Sequence, residues 1–235
     1  MLILAHRGTG PGRSENTIAS FEKGLQAGAE GIEFDVRITS DGVVICSHDD
    51  NLNRVFGIDM RVNEFDFETL QDKCLLKGSK LLKAKEVFER FNNKIFYNIE
   101  VKDPEAINGL IGLIENFKIS DFMVSSFNHE CLKLAKEILP KVNIATLINS
   151  KKLTDYQKNV EAIIESYKPH SVNLDIRIFL KDTDEKVTYF SKLRDKGLKF
   201  AFWTVNQISD FLPIKELCDY LITDVPELFQ EYKQT

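Results

Sequence analysis

Apolar and polar positions along the chain follow two rhythms that take turns. Short runs rich in β-branched and aromatic residues recur as LILAH (2–6), EGIEFDVRI (30–38), VVICSH (43–48), KIFYNIEVK (94–102) and DFMVSSF (121–127), then VNIATLI (142–148), SVNLDI (171–176), LKFAFWTV (198–205) and DYLIT (219–223). Between most of them lie amphipathic stretches with helical spacing: NTIASFEKGLQAG (16–28), EAINGLIGLIENF (105–117), HECLKLAKEIL (129–139), AIIESYK (162–168), DEKVTYFSKLRDKG (184–197) and PELFQEYK (226–233). Strands alternating with helices predict βαβ units and a parallel sheet. About eight such units in 235 residues predict an α/β fold of the (β/α)₈ TIM-barrel type, near the small end of its range. A doubly wound open sheet is the alternative. The segment at about 50–84 has mixed polarity and no clean period, so it reads as an insertion between the second strand and its helix, and excursions of that length tend to be lids or binding loops. No linker divides the chain, which predicts one domain over 1–235.

Composition narrows the function classes. With 43% hydrophobic and 29% charged residues the chain is ordinary for a globular protein. A net charge of −5 argues against nucleic acid as a partner, since a phosphate backbone wants a basic surface, yet it leaves room for a small anion held by a local cation cluster. Cys46, Cys74, Cys131 and Cys218 form no CxxC pair, so free thiols are the simpler reading than disulfides or a zinc site. LILA is too short for a signal-peptide core and no apolar run approaches spanning length. A cytoplasmic location without stable membrane insertion is therefore expected.

A parallel barrel has its active site at the C-terminal mouth of the strands, so the polar residues at strand ends carry the candidate chemistry. His6 and Arg7 end the first strand. Glu33 and Asp35, two apart, share a face, and the apolar residues around them take the other, which turns the carboxylates inward. His48 and Asp49 follow in VVICSHDD, Asn98, Glu100 and Lys102 share a face of KIFYNIEVK, and Trp203, Thr223 and Asp224 close the series. Alone, each has a bland reading: a hydrogen-bonded structural histidine, a same-face Glu100–Lys102 ion pair, a core tryptophan. Two histidines, three carboxylates, an arginine and a lysine converging on one mouth have no structural explanation of that kind. Glu33, Asp35 and Glu100 make a hard oxygen site that suits one Mg²⁺ or Ca²⁺ better than zinc. Arg7 and Lys102 beside it suit a phosphoryl group, and two histidines can serve as general base and acid. The residues thus reach metal-assisted phosphoester chemistry without a substrate.

The ordered set AHRG, SENT, GIEFDVRITSDG, VICSHDDNLNR, NIEVK, SSF, FWTVN and LITDVPE, from about residue 4 to 227, resembles the glycerophosphodiester phosphodiesterase family. The resemblance implies a (β/α)₈ barrel with an insertion after the HD strand, and metal-dependent hydrolysis of a small glycerophosphodiester to glycerol 3-phosphate and an alcohol. It implies His6 and His48 as the catalytic pair, Glu33, Asp35 and Glu100 as ligands of the cation, and Arg7 and Lys102 on the phosphate. Trp203 and Phe127 would line the glycerol pocket. Analogy with the related phosphatidylinositol-cleaving barrels favours His6 as base and His48 as acid. Glu15 and Asn16 would tie the first loop to the mouth, and Thr223 and Asp224 would stand behind the catalytic groups. Ser14 replaces the proline usual before ENT, Cys46 reads as a buried thiol, and the insertion lacks the usual threonine- and glycine-rich wording, which bears on alcohol specificity. Asp49 and Asp103 read as capping or loop residues, with support of the neighbouring catalytic group as the lesser alternative, and His129 and His170 lie away from the mouth and carry no role. A lysophospholipase D-type activity on the same fold is the alternative. A barrel that has lost catalysis would lack one of the five key groups, and an aldolase or isomerase would not demand paired histidines.

Overall fold

Period-two alternation along each strand gives it one face for the helices and one for the interior, and a parallel sheet with two such faces can close. The structure, a computed structural model, describes residues 1–150 and 156–233. Its strands are β1 (Leu2–His6), β2 (Gly31–Ile38), β3 (Val44–Cys46), β4 (Phe96–Val101), β5 (Phe122–Ser126), β6 (Ile144–Ile148), β7 (Ser171–Asp175), β8 (Lys199–Trp203) and β9 (Tyr220–Thr223). Its helices are α1 (Ile18–Gln26), α2 (Asn53–Phe56), α3 (Phe67–Leu76), α4 (Ala84–Phe91), α5 (Ala106–Phe117), α6 (His129–Ile138), α7 (Tyr156–Tyr167), α8 (Thr183–Arg194) and α9 (Ile208–Phe211). β1 pairs in parallel with both β2 and β9, so eight parallel strands form a closed ring, the expected (β/α)₈ barrel.

One of the nine apolar runs, VVICSH, does not enter the ring. β3 runs antiparallel to β2, Val36 opposite Cys46 and Ile38 opposite Val44, and forms a hairpin outside it. The turn is tight: Gly42 N donates to Thr39 O at 3.0 Å, and Gly42 sits at φ +84°, where a side chain would be strained. The insertion follows this hairpin and is more regular than its sequence suggests. It holds α2 and the ten-residue α3, whose N-cap Asp66 accepts from Thr69 N at 2.8 Å. Ile45, Leu52, Ile58, Val62, Phe67, Leu70, Cys74 and Leu81 give it a small core of its own. The C-terminal stretch expected to be an α-helix is a 3₁₀ helix, Pro226–Tyr232.

Local signals account for the helices that matter here. Thr17 and Ser20 form a reciprocal capping box that starts α1 where ENT was expected to open it. On α5, Ala106, Ile107, Leu110, Ile111 and Ile114 are buried at three- and four-residue spacing against the sheet. The outward faces of the strands carry most of the core: Ile32, Phe34 and Val36 of β2 and Tyr97, Ile99 and Val101 of β4 pack with Phe21, Phe88 and Phe91. The inner faces hold a smaller apolar plug, with Leu4, Met123, Ala145, Ala201, Tyr220 and Ile222. Above that plug the inward positions turn polar, and there the site begins.

Candidate active site at the barrel mouth

Register brings the β2 and β4 carboxylates together. Glu33 lies opposite Asn98 and Asp35 opposite Glu100, while His6 of β1 lies opposite Glu33. Glu33, Asp35 and Glu100 are buried, and one ligand atom from each lies within 4.8 Å of the others. Lys102, just past β4, reaches Asp35 Oδ1 at 2.9 Å and also bonds Glu100. So its partnership with Glu100 is real, but the ammonium is shared. Arg7 Nε lies 3.1 Å from Asp35 Oδ2, an ion pair without a hydrogen bond. Arg7 sits in the left-handed region at φ 50°, a strained conformation for a side-chain residue, of order 1 kcal/mol. Its N donates to Glu33 O at 2.8 Å and its O accepts from Asn16 N at 3.0 Å, which hold it there.

Charge in this cluster is unbalanced. Three buried carboxylates face two cations, and their protonation reflects it. Burial, with the charge of Asp35, pushes the Glu33 carboxyl up to about 7. Burial and Asp35 also raise Glu100, against the pull of Lys102. Burial acts on Asp35 in the same sense, but Lys102 and Arg7 overrule it and hold that carboxyl well below the usual range. Asp35 Oδ1 is buried and is met by the Lys102 ammonium as an ion pair. Three oxygen donors at this separation, two of them with a pKa raised by burial and by the charge of the third, fit a hard divalent cation.

Both histidines are oriented through Nδ1 by a carboxylate. His6 Nδ1 donates to Asp224 Oδ1 at 2.7 Å, which turns Nε2 toward Glu33, 3.9 Å away. Burial lowers the His6 pKa, but the Asp224 bond and the Glu33 charge leave it raised. Asp224 is itself held by Asn206, whose Nδ2 donates to Oδ2 at 2.6 Å and whose Oδ1 accepts from Asp224 N and from Thr223 Oγ1. Gly10 (φ +79°) lies so close that a Cβ there would sit 2.6 Å from Asp224 Cγ. His48 Nδ1 donates to Asp49 Oδ1 at 2.7 Å. Burial, with Lys102 and Arg7, lowers the His48 pKa against the pull of Asp35.

Asp49 and Asp103 both lie in loops, and their contacts favour the alternative of support for a neighbouring candidate group. Asp49 holds His48, and its other oxygen takes Arg54 Nε at 2.5 Å. Asp103 pairs with Arg37, whose Nε donates to His48 O at 3.0 Å, so it too bears on the histidine. Glu15 and Asn16 tie the first loop to the mouth as expected. Asn16 Nδ2 donates to Asp35 Oδ2 at 3.0 Å, and Glu15 accepts from Arg7 and Arg54. Across the mouth, Trp203 of β8 is fixed by its Nε1–H bond to Asn173 O at 3.0 Å, and Phe127, just past β5, packs edge-on to it with ring centroids 5.6 Å apart. His129, expected away from the mouth, instead starts α6 at the mouth end of the barrel, just past the end of β5, with its Nε2 3.1 Å from Leu147 O and its ring against Tyr167, and His170 meets Tyr220 OH. Cys46 is a buried thiol whose pKa burial raises. Sequence reasoning passed over Asn206, Arg37 and Arg54. All three stand inside quoted motifs, Arg37 in GIEFDVRITSDG, Arg54 at the end of VICSHDDNLNR and Asn206 at the end of FWTVN.

Comparison with known proteins agrees with this geometry. The model of the glycerophosphoryl diester phosphodiesterase family matches residues 6–228. The chain is 31% identical over 241 residues to a glycerophosphodiester phosphodiesterase of Caldanaerobacter subterraneus subsp. tengcongensis, covering 96% of this chain and 95% of that one. The crystal structure of a glycerophosphodiester phosphodiesterase from Thermotoga maritima superposes with a TM-score of 0.84 at 30% identity, over 99% of this chain and 98% of the other. An Oleispira antarctica phosphodiesterase in complex with the product sn-glycerol-3-phosphate shares the fold at a TM-score of 0.81 and 22% identity, over 99% and 96% of the two chains. Among the described residues no helix is long and apolar enough to cross a membrane.

Proposed function

The chain belongs to the glycerophosphoryl diester phosphodiesterase family, and we propose that it hydrolyses small water-soluble glycerophosphodiesters to glycerol 3-phosphate and an alcohol, with Mg²⁺ or Ca²⁺ bound by Glu33, Asp35 and Glu100. The observation that carries this reading is the cluster of three buried carboxylates bordered by His6, Arg7 and Lys102. A divalent cation held there supplies positive charge for the phosphoryl oxygens and offsets the field of Glu33 on His6.

The rest is the work of the chain's own side chains. Arg7 and Lys102 bind the non-bridging phosphoryl oxygens, and Trp203, braced by Phe127, walls the glycerol. His6 Nε2, its Nδ1 occupied by Asp224, takes the proton from the glycerol hydroxyl next to the ester. That oxygen bonds to phosphorus, the bond to the alcohol oxygen breaks, and His48 gives the departing oxygen its proton. In the second half His48 takes a proton from water, which attacks the cyclic phosphate. His6 returns its proton to the glycerol oxygen as the ring opens, so both histidines end as they began.

The test is release of glycerol 3-phosphate from glycerophosphocholine and glycerophosphoethanolamine, with Mg²⁺, Ca²⁺ or a chelator, beside a lysophospholipid. Metal-dependent turnover of the soluble diesters, abolished in His6→Ala and Glu33→Ala, is expected. Turnover of the lysophospholipid alone moves the enzyme to the lipid-cleaving alternative. Failure of well-folded, metal-loaded protein on every diester rejects the reading.

A further inference from the structure

Arg54 is where the insertion touches the site. It stands in the short helix α2, whose four residues are all at least partly exposed, directly after Leu52, which is anchored in the insertion's core. Its guanidinium forks onto two carboxylates. Nη1 and Nη2 donate to Glu15 Oε2 and Oε1 at 2.8 and 2.6 Å, and Nε donates to Asp49 Oδ2 at 2.5 Å. Glu15 is buried, and its Oε1 also takes Arg7 Nη1 at 3.2 Å. Asp49 presents its other oxygen to His48 Nδ1. One guanidinium thus joins the cation beside the carboxylate cluster to the second histidine, through one carboxylate on each side.

We propose that Arg54 is a positioning residue for protonation of the leaving alcohol: it locks Asp49 onto His48 Nδ1, and it occupies Glu15 so that Arg7 stays turned to the phosphate. The inference rests on the assignment of His48 as the acid. A planar fork with donors on two edges satisfies both carboxylates at once, whereas an ammonium is a point charge that serves one of them well. Without Arg54, the part-exposed Asp49 turns to water and His48 loses its fixed orientation. Glu15, buried and left with a single cationic partner, draws Arg7 closer and away from the ligand.

The experiment compares glycerophosphocholine, whose alkoxide must be protonated to leave, with glycerophospho-p-nitrophenol, whose phenolate leaves without help. His48→Ala, Asp49→Asn, Arg54→Gln, Arg54→Lys and the Asp49→Asn/Arg54→Gln double variant are assayed on both by single-turnover release of choline or nitrophenol, which reads the first half-reaction apart from the later hydrolysis in which His48 acts as base. Arg54→Gln is expected to lose about 10–100-fold in single-turnover rate on the choline diester, the usual cost of removing a group that orients a catalytic residue, and far less on the nitrophenyl diester. KM should rise on both, through Arg7. Arg54→Lys should recover part of the choline activity, and it carries the test if Arg54→Gln does not fold. The double variant should be little worse on the choline diester than Asp49→Asn, because both changes break one chain of contacts. Equal loss on the two substrates in Arg54→Gln, or full additivity with Asp49→Asn, overturns the inference while a leaving-group bias in His48→Ala leaves the acid assignment standing. No bias in His48→Ala rejects that assignment, and the inference falls with it.

Discussion

Two regions of the barrel mouth carry buried carboxylates, and only one of them is left unfinished. On the far side Asp175, at the end of β7, accepts from Arg177 N at 3.0 Å and Ser150 N at 3.2 Å, and it is forked by the Arg177 guanidinium two residues on. Burial would raise its pKa, but those bonds hold it below the usual range. Its charge is met within its own loop. On the near side Glu33, Asp35 and Glu100 have two cations among the three of them, and two of the three are pushed toward protonation. Burying a charge is tolerated where bonds complete it, so an incomplete cluster in a folded protein points to something that completes it from outside. A buried carboxylate at a strand end is therefore ambiguous, and its balance of partners separates a structural group from a candidate site.

Substitution at the two ends gives the sharpest way to break that contrast. Glu33→Ala should lower phosphodiester turnover about 10³-fold or more, since the charge assembled there is worth several kcal/mol in the transition state. In chelator its melting temperature should equal or exceed that of the parent, because one of three mutually repelling carboxylates is gone. Asp175→Asn should do the reverse, with turnover close to the parent and stability down by about 1–3 kcal/mol in denaturant titration. Loss of turnover in Asp175→Asn with retention in Glu33→Ala would invert the comparison. A smaller effect is expected at Asp224, which is complete through Asn206 and His6 yet serves the near side. Asp224→Asn should cost about 10–100-fold in kcat with little change in KM, read in steady-state kinetics, because the bond that turns His6 Nε2 inward is weakened.

The near side was the more legible in sequence, for a physical reason. Glu33 and Asp35 are two apart within β2, and strand alternation alone decides that they share a face, with Ile32, Phe34 and Val36 on the other. The barrel was legible in the same way, from recurring runs whose period changes. What escaped depends on contacts that no local pattern encodes. Arg54 meets Glu15 across 39 positions, and Asn206 meets Asp224 across 18. Asp49 passes for a cap until Arg54 and His48 are seen on its two oxygens. The β3 hairpin has a local signal, Asp41-Gly42 between two apolar runs, but within an alternating α/β pattern that run merges with the second strand region. α3 buries only Phe67, Leu70 and Cys74 of its ten residues, too thin a stripe to stand out.

The smallest predicted effects fall on the far side, and they sharpen the contrast by showing what that side contributes. Trp203 and Phe127 hold no charge, so their loss should appear in binding and leave the chemistry untouched. Trp203→Ala should raise KM for glycerophosphocholine about tenfold at nearly constant kcat, a loss of 1–3 kcal/mol typical of an emptied apolar subsite. Phe127 is 37% exposed and meets Trp203 only edge-on, so its contribution is indirect. An aromatic pair of this geometry is worth about 0.5–1.5 kcal/mol beyond its buried area, which sets the expected rise in KM for Phe127→Ala at no more than about tenfold and below that of Trp203→Ala. Because Phe127 acts through Trp203, the double variant should match Trp203→Ala alone. A fall in kcat in either single variant would mean that the far side helps align the reacting atoms, and the division between a chemical side and a binding side would fail.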